Sequence, residues 1–242
     1  MKKNEEIVGP NVDDLICLSK GILGGIPMAE QNQDKIKQEQ FDSHYRARTT
    51  PWDLGRPDFN LIDAVTKKPI KSCRALDIGC GSGHNSIWLA QQGFLVTGVD
   101  VSETALQRAK ENASKTNVKC TFLLVSFLEY EVPGAPFGFI FDRGCWHLLD
   151  SQEREQFAER VSYYLEEGGL WLSIIGSADE PPRGPGPLAG PPRHSAYDIT
   201  VAVEPYFEIL MLSASHFDSN SSKPPKAWAC LMKKRIKYID SR

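Results

Sequence analysis

Residues 74–83 read Arg-Ala-Leu-Asp-Ile-Gly-Cys-Gly-Ser-Gly, and a helical pattern follows with Ile87, Trp88 and Leu89 between polar residues. A short apolar strand carrying one acid, a Gly-x-Gly-x-Gly turn and a helix in direct succession restrict the chain to an α/β architecture. Glycines at 79, 81 and 83 let the main chain turn tightly and approach a ligand, because no Cβ stands in the way. From residue 74 onward strand and helix patterns alternate, the signature of a parallel sheet covered on both faces. Strands are expected at 74–79, 94–99, 119–125, 138–142 and 169–175, with two late ones at 206–213 and 227–233. A helix is expected over 151–166. Asp150 and Glu153 fit a capping box, Phe157, Val161, Tyr164 and Leu165 share a face, and Gly168-Gly169 is the expected stop. Residues 178–193 hold six prolines, so they form neither helix nor central strand and read as a linker or an active-site flap.

Asp77 stands two residues before the first glycine and selects the ligand. A carboxylate there repels a pyrophosphate and suits a ligand whose nearest group is cationic. S-adenosylmethionine (SAM), which has an ammonium, a sulfonium and no phosphate, meets that requirement. A dinucleotide does not, since G-x-G-x-x-G needs a glycine where His84 stands. Asp100 ends the next strand, where a carboxylate accepts both ribose hydroxyls of an adenosine. Its other reading is an N-cap of the helix starting near Ser102. Val101, beside it, joins the expected cofactor contacts. Ser126 and Phe127 end the third strand, outside the carboxyl edge where ligands sit in such sheets. Ser126 is expected to meet the adenine edge and Phe127 to wall its face, with a plain strand end as the alternative.

The fourth strand leads into Phe141-Asp142-Arg143-Gly144-Cys145-Trp146-His147. This strand is expected beside the first across the switch point. Asp142 then faces the methionine end of the cofactor, and Arg143 and His147 come within reach of a substrate. A structural Asp–Arg contact and a satisfied helix-entry histidine are the competing readings, and Cys145 reads as packing. Upstream, Phe41 and Tyr45 share a helix face and precede Trp52. Aromatic faces attract a nearby sulfonium by about 0.5–2 kcal/mol each and exclude water; a plain core stripe is the alternative.

A net charge of −3 offers no broad attraction to nucleic acid or an anionic membrane surface. The cluster Lys233, Lys234, Arg235 and Lys237 reads as a solvated strand end. Six scattered cysteines without a C-x-x-C pair argue against a zinc site or disulfide framework and favour a reducing cytoplasm. No apolar run reaches the roughly 20 residues of a membrane helix. Residues 1–35 read as a mobile polar extension and 36–242 as the folded domain. One reading makes Met28 the natural start and residues 1–27 an upstream extension.

Together these residues resemble the class I SAM-dependent methyltransferases, and more narrowly the thiopurine/thiol/halide methyltransferase superfamily. Thr50-Pro51-Trp52-Asp53-Leu54-Gly55-Arg56-Pro57 is similar to that group's N-terminal signature, with Phe41 and Tyr45 where relatives often carry tryptophan. Asp77–Gly83 with Asp100 matches the SAM motif, and Gly190-Pro191-Pro192 resembles a turn before the penultimate strands. The similarity covers roughly residues 36–235. It implies a Rossmann-like sheet of seven strands, mostly parallel, with the last antiparallel and helices on both faces. It also implies an aromatic lead-in folding over bound SAM as a lid, with Trp52 among its contacts. Ser126 departs from the acid that many class I enzymes place at the adenine.

The implied reaction is direct displacement at the SAM methyl, releasing S-adenosylhomocysteine (SAH), with no metal called for. A soft acceptor such as a thiolate needs no strong base, and Arg143, with Arg56 or Arg193, is expected to hold an anionic one. The rivals are a small-molecule O- or N-methyltransferase using His147 or Asp142 as base, and a SAM-binding module without turnover. A small-molecule acceptor, no nucleic acid, no membrane, and a monomer or weak homodimer complete the expectation.

Overall fold

The computed structural model describes residues 28–68, 70–181 and 190–236, with side chains in the first helix from residue 38 onward. The expectations for residues 1–27, and for the middle of the proline-rich stretch at 182–189, lie outside the described residues. Two compact units divide the chain, Met1–Gln38 and Glu39–Arg242. In the first, helix α1 (Met28–Ala47) begins; the second holds the remaining elements described here.

In that second unit α2 (Phe59–Lys67) precedes β1 (Arg74–Ile78), α3 (His84–Gln91), β2 (Leu95–Asp100), α4 (Glu103–Ser114) and β3 (Cys120–Leu124). Then come β4 (Phe137–Arg143), a 3₁₀ turn (Trp146–Leu148), α5 (Ser151–Tyr164), β5 (Leu165–Gly176), α6 (Ala196–Val203), β6 (Phe207–His216) and β7 (Lys226–Lys234). The seven strands form one sheet in the order β3-β2-β1-β4-β5-β7-β6. β7 runs antiparallel to both its neighbours, and the pairs from β3 through β5 are parallel. The seven-stranded expectation, with the last strand reversed, holds.

After its first residue β1 is buried throughout, as a central parallel strand must be. Alternation along the strands sorts two cores. Leu76, Ile78 and Ile140 join Trp171, Phe157, Val161 and Phe207 on one side. Ala75, Phe139 and Phe141 join Leu61, Leu89 and Leu172 on the other. The chain leaves β1 toward β2 and β3, then returns to place β4 on the opposite flank, with Ile78 beside Asp142. That reversal opens a crevice at the carboxyl ends of β1 and β4.

Two boundaries differ from expectation. The capping box of Asp150 and Glu153 is present, but α5 stops at Tyr164, and Gly168-Gly169 does not terminate it. β5 starts at Leu165 rather than 169, because Leu165 pairs with Phe137 and is buried in the core. The register then jumps to Phe139–Leu170, and Gly168 at φ 72° absorbs the bulge. At the chain's end Lys233 and Lys234 belong to β7 and Arg235 pairs with Glu204, while Lys237 lies outside the described residues. Among the described residues no helix is long and apolar enough to cross a membrane.

Candidate active site

The glycine turn is folded back over β2. Gly79 and Cys80 N–H both donate to the Val99 carbonyl, at 2.8 and 3.0 Å. Gly79 and Gly81 take φ of 67° and 53°, a region where a side chain is strained. The third glycine serves packing: a Cβ on Gly83 would lie 2.9 Å from Ala109 Cβ and 3.0 Å from Phe122 Cζ. Helix α4 could then not approach the sheet.

Three carboxylates end the strands around this turn. Asp77 is buried and accepts from Ser86 Oγ at 2.6 Å. Burial, with smaller contributions from Asp100 and Asp142, pushes its carboxyl up to about 7. Asp100 accepts from Gly81 N–H at 2.8 Å and Ser102 N–H at 2.9 Å, and burial raises it too. It therefore braces the glycine turn against the start of α4, whose N-cap is Ser102 and not Asp100. Asp142 is fully buried and is pushed up to about 6 by burial. Its Oδ1 accepts from Trp171 Nε1 at 2.9 Å, and its Oδ2 takes Cys145 and Trp146 N–H at 3.3 and 3.2 Å. Oδ2 thus holds the turn after β4, and Oδ1 ties β4 to Trp171 on β5.

The segment 39–58 covers the glycine turn. A Cβ on Gly81 would lie 2.5 Å from Tyr45 Oη, which accepts from Trp52 Nε1 at 3.2 Å. Phe41, His44 and Tyr45 pack edge-on around the Trp52 ring at 6.0, 5.6 and 6.4 Å. Polar latches fasten this cover. Asp42 accepts from Ser102 Oγ at 2.7 Å and Thr104 N–H at 2.9 Å. Arg108 donates to the Tyr45 carbonyl, Ser82 Oγ to Asp53 at 2.6 Å, and Asp58 N–H to Asn85 Oδ1 at 2.8 Å. On the β4 side Cys145 Sγ lies against Gly79, where a Cβ would collide with it, and donates to the Ile78 carbonyl at 3.3 Å.

The sequence-derived residues divide into two groups. Phe41, Tyr45, Trp52, Asp77, Gly79, Gly81, Gly83 and Asp100 assemble around the turn, and Val101 follows Asp100 there. Ser126 stays at the rim, where Val125 N–H meets the Asp100 carbonyl at 3.0 Å. Phe127 is turned into the main core, with Phe157 at 4.9 Å and Tyr164 at 5.8 Å, so its ring faces are spent there. His147 is buried; its Nδ1 accepts from Gly176 N–H at 3.1 Å, and its carbonyl accepts from His194 Nε2 at 2.9 Å. Burial, then His194 and Arg143, push its ring down to about 3, so it is neutral at physiological pH. Arg143 is met by Asp58 and by the carbonyls of Trp52 and Asp218. Arg56 pairs with Asp218, and Arg193 donates to the Glu180 carbonyl.

Several residues that build the site escaped the sequence reading: Asp42, Asp58, Asn85, Arg108 and Asp218. Asp58 had a signal, since it stands immediately before a helix and caps it through Asn60 N–H at 2.8 Å. A small cavity lies between Trp52, Leu54, Arg56, Asp58, Asn85, Arg143 and Asp218, beside the tip of β4. A wider groove of about 680 Å³ runs under the opposite ends of β1–β4, at Arg74, Leu95, Cys120 and Phe137, away from these residues.

Comparison with known proteins bears on the family and the fold. The family described as "Methyltransferase domain" matches residues 75–169. "Probable thiol methyltransferase 2" of Arabidopsis thaliana is 31% identical over 60% of this chain, an alignment that spans 65% of that relative. "Thiocyanate methyltransferase 1" of Brassica oleracea is 30% identical over 63% of this chain and 68% of its own length. Among solved structures, Burkholderia thailandensis 1,6-didemethyltoxoflavin-N1-methyltransferase, with bound 1,6-didemethyltoxoflavin and S-adenosylhomocysteine, superposes with a TM-score of 0.68. That match covers 88% of this chain and 94% of the other at 16% identity, a likeness of fold.

Proposed function

We propose that this chain, which belongs to the class I SAM-dependent methyltransferases, methylates a small molecule through a soft nucleophile, most simply a thiol. The residues around the turn suit SAM. Asp77 and Asp100 are desolvated carboxylates, which gain from a nearby cation what burial costs them. The absence of a Cβ at Gly79 and Gly81 lets Cys145 Sγ and Tyr45 Oη close directly onto the main chain of the turn. Tyr45 and Trp52 present aromatic faces and shed water from the same place. Bound SAM supplies a methyl group already activated by its positive sulfur, and transfer to the acceptor leaves SAH.

One observation favours a soft acceptor: the β4 tip offers no free base. Asp142 has both oxygens committed to N–H donors. His147 accepts at Nδ1, so its neutral ring carries the proton on Nε2 and presents a donor there. Burial lifts the Tyr45 hydroxyl far above its ordinary range. An alcohol or a protonated amine needs a base to take its proton, whereas a thiol already holds a few per cent thiolate at about pH 7 and depends on one least. The protein's part is to align acceptor and donor under the cover formed by residues 39–58 and to exclude water.

The names of the two plant relatives point the same way. The test is incubation of the purified protein with SAM and a panel of thiols, phenols and amines, read by mass spectrometry. Methylated thiol with stoichiometric SAH is expected, and kcat/KM should track the thiol's own pKa. Turnover confined to phenols or amines, with a protein base in its pH profile, would replace this reading with the O- or N-methyl one. Binding of SAM without turnover of any acceptor would leave a regulatory module.

A further inference from the structure

Arg143 stands at the tip of β4, one residue after Asp142, where a cation invites reading as a seat for an anionic acceptor. Each of its three guanidinium nitrogens already donates within the protein. Nε donates to Asp58 Oδ2 at 2.6 Å, Nη1 to the Trp52 carbonyl at 3.2 Å, and Nη2 to the Asp218 carbonyl at 2.9 Å. Its side chain is 13% exposed, that of Asp58 2%. The Phe217 ring centroid lies 5.2 Å from its guanidinium carbon. The second oxygen of Asp58 receives both the main-chain N–H and the side-chain amide of Asn60, at 2.8 Å each. Arg56 grips the Asp218 side chain at 2.8 and 3.0 Å and Asn220 at 3.0 Å. One guanidinium thus ties three distant segments: 52–58 before the sheet, β4, and the loop after β6.

We propose that Arg143 is a positioning residue that fastens the Trp52–Asp58 segment over the donor site, and that it does not bind the acceptor. This rests on the donor-site reading above. The task requires arginine, because a planar fork reaches three acceptors in different directions, and a lysine ammonium is a point charge on a single stem. Releasing the fork leaves the Asp58 carboxylate buried and unpaired, which drives its segment toward solvent. Trp52, and with it the support of Tyr45 over Gly81, moves with that segment.

Arg143→Lys separates the two roles, since it keeps the positive charge and loses the fork. Amide hydrogen exchange of residues 50–58 in the ligand-free protein should accelerate about tenfold or more, as expected for loss of a local closing contact. The SAH dissociation constant should rise by about the same factor, and kcat/KM should fall equally for 2-mercaptoethanol and for anionic 3-mercaptopropionate. Asp58→Asn provides a second variant that keeps the cap of α2, because Asn caps as well as Asp. It should show the same pattern. Unchanged exchange in both variants overturns the proposal, as does a KM increase confined to the anionic thiol. Failure of the wild-type protein to bind SAH would refute the donor-site reading instead, and the exchange result on the free protein would still decide the latch.

Discussion

The proposed place of Asp77 beside the cationic cofactor predicts a calculable dependence of binding on pH. Its carboxyl is pushed up to about 7 by burial, whereas a free aspartate titrates near 3.9. The ligand-free fold therefore favours the neutral acid, and stability linked to this group is present at low pH and lost as pH rises toward about 7. A cation placed beside it favours the carboxylate and lowers its pKa. Binding SAM must then expel a proton wherever the free protein still holds one. At pH 7 about half the molecules carry that proton, and at pH 6 about nine in ten, for a group titrating near 7. If only the carboxylate form binds, affinity falls about fivefold from pH 7 to 6 and about tenfold from 6 to 5. The assay is titration calorimetry with SAM in two buffers of different ionisation enthalpy. The apparent enthalpy should differ between buffers by roughly half a proton's worth at pH 7 and nearly a full one at pH 6. Asp77→Asn should bind more weakly and lose this part of the buffer dependence. Asp142, pushed up to about 6, also titrates in this range, and the Asp77→Asn variant isolates the share that belongs to Asp77. A dissociation constant flat from pH 5 to 7, with identical enthalpies in both buffers, would refute the assignment of Asp77 to a cationic ligand.

Three other expectations follow from packing and hydrogen bonding. Gly83→Ala places a methyl 2.9 Å from Ala109 Cβ at a φ of 81°, and should cost about 2–4 kcal/mol in urea unfolding. Trp171→Phe keeps an aromatic ring but removes the donor to Asp142 Oδ1. A loss of about 1–3 kcal/mol is expected from leaving that buried oxygen short of a partner, and a loss below 0.5 would mean that the bond contributes little. His147, held down to about 3, should show no imidazole titration by NMR between pH 5 and 8. A titration midpoint near 6.5 would mean that its Gly176 bond opens in solution and would restore it as a candidate base.

The fold was legible where its causes are local. Alternating apolar runs marked the strands, the Asp150–Glu153 spacing marked the start of α5, and Gly-x-Gly-x-Gly after a strand marked the tight turn after β1. The end of α5 was not local. Leu165 leaves the helix because Phe137, on another strand, accepts it into the ladder. The site shows the same division. Asp77 and Asp100 could be read because each ends a strand beside the turn. Phe127 could not, since a strand end fixes where the backbone is and not which way the ring turns, and here Phe157 and Tyr164 draw it inward. Arg143 was readable as a charge near the reaction but not as a latch, because its three acceptors belong to residues 52, 58 and 218, which only the tertiary fold collects.

The latch has a practical corollary for engineering. The rim of the small cavity beside β4 comes largely from two surface stretches, 52–58 and 218–220, neither of which supplies a residue to the buried clusters. The carboxylates and glycines of the proposed donor site belong to other parts of the chain. Exchanging Arg56 together with residues 218–220, with Trp52, Asp58 and Arg143 retained as the latch, offers a route to altering which molecules are admitted without releasing the cover.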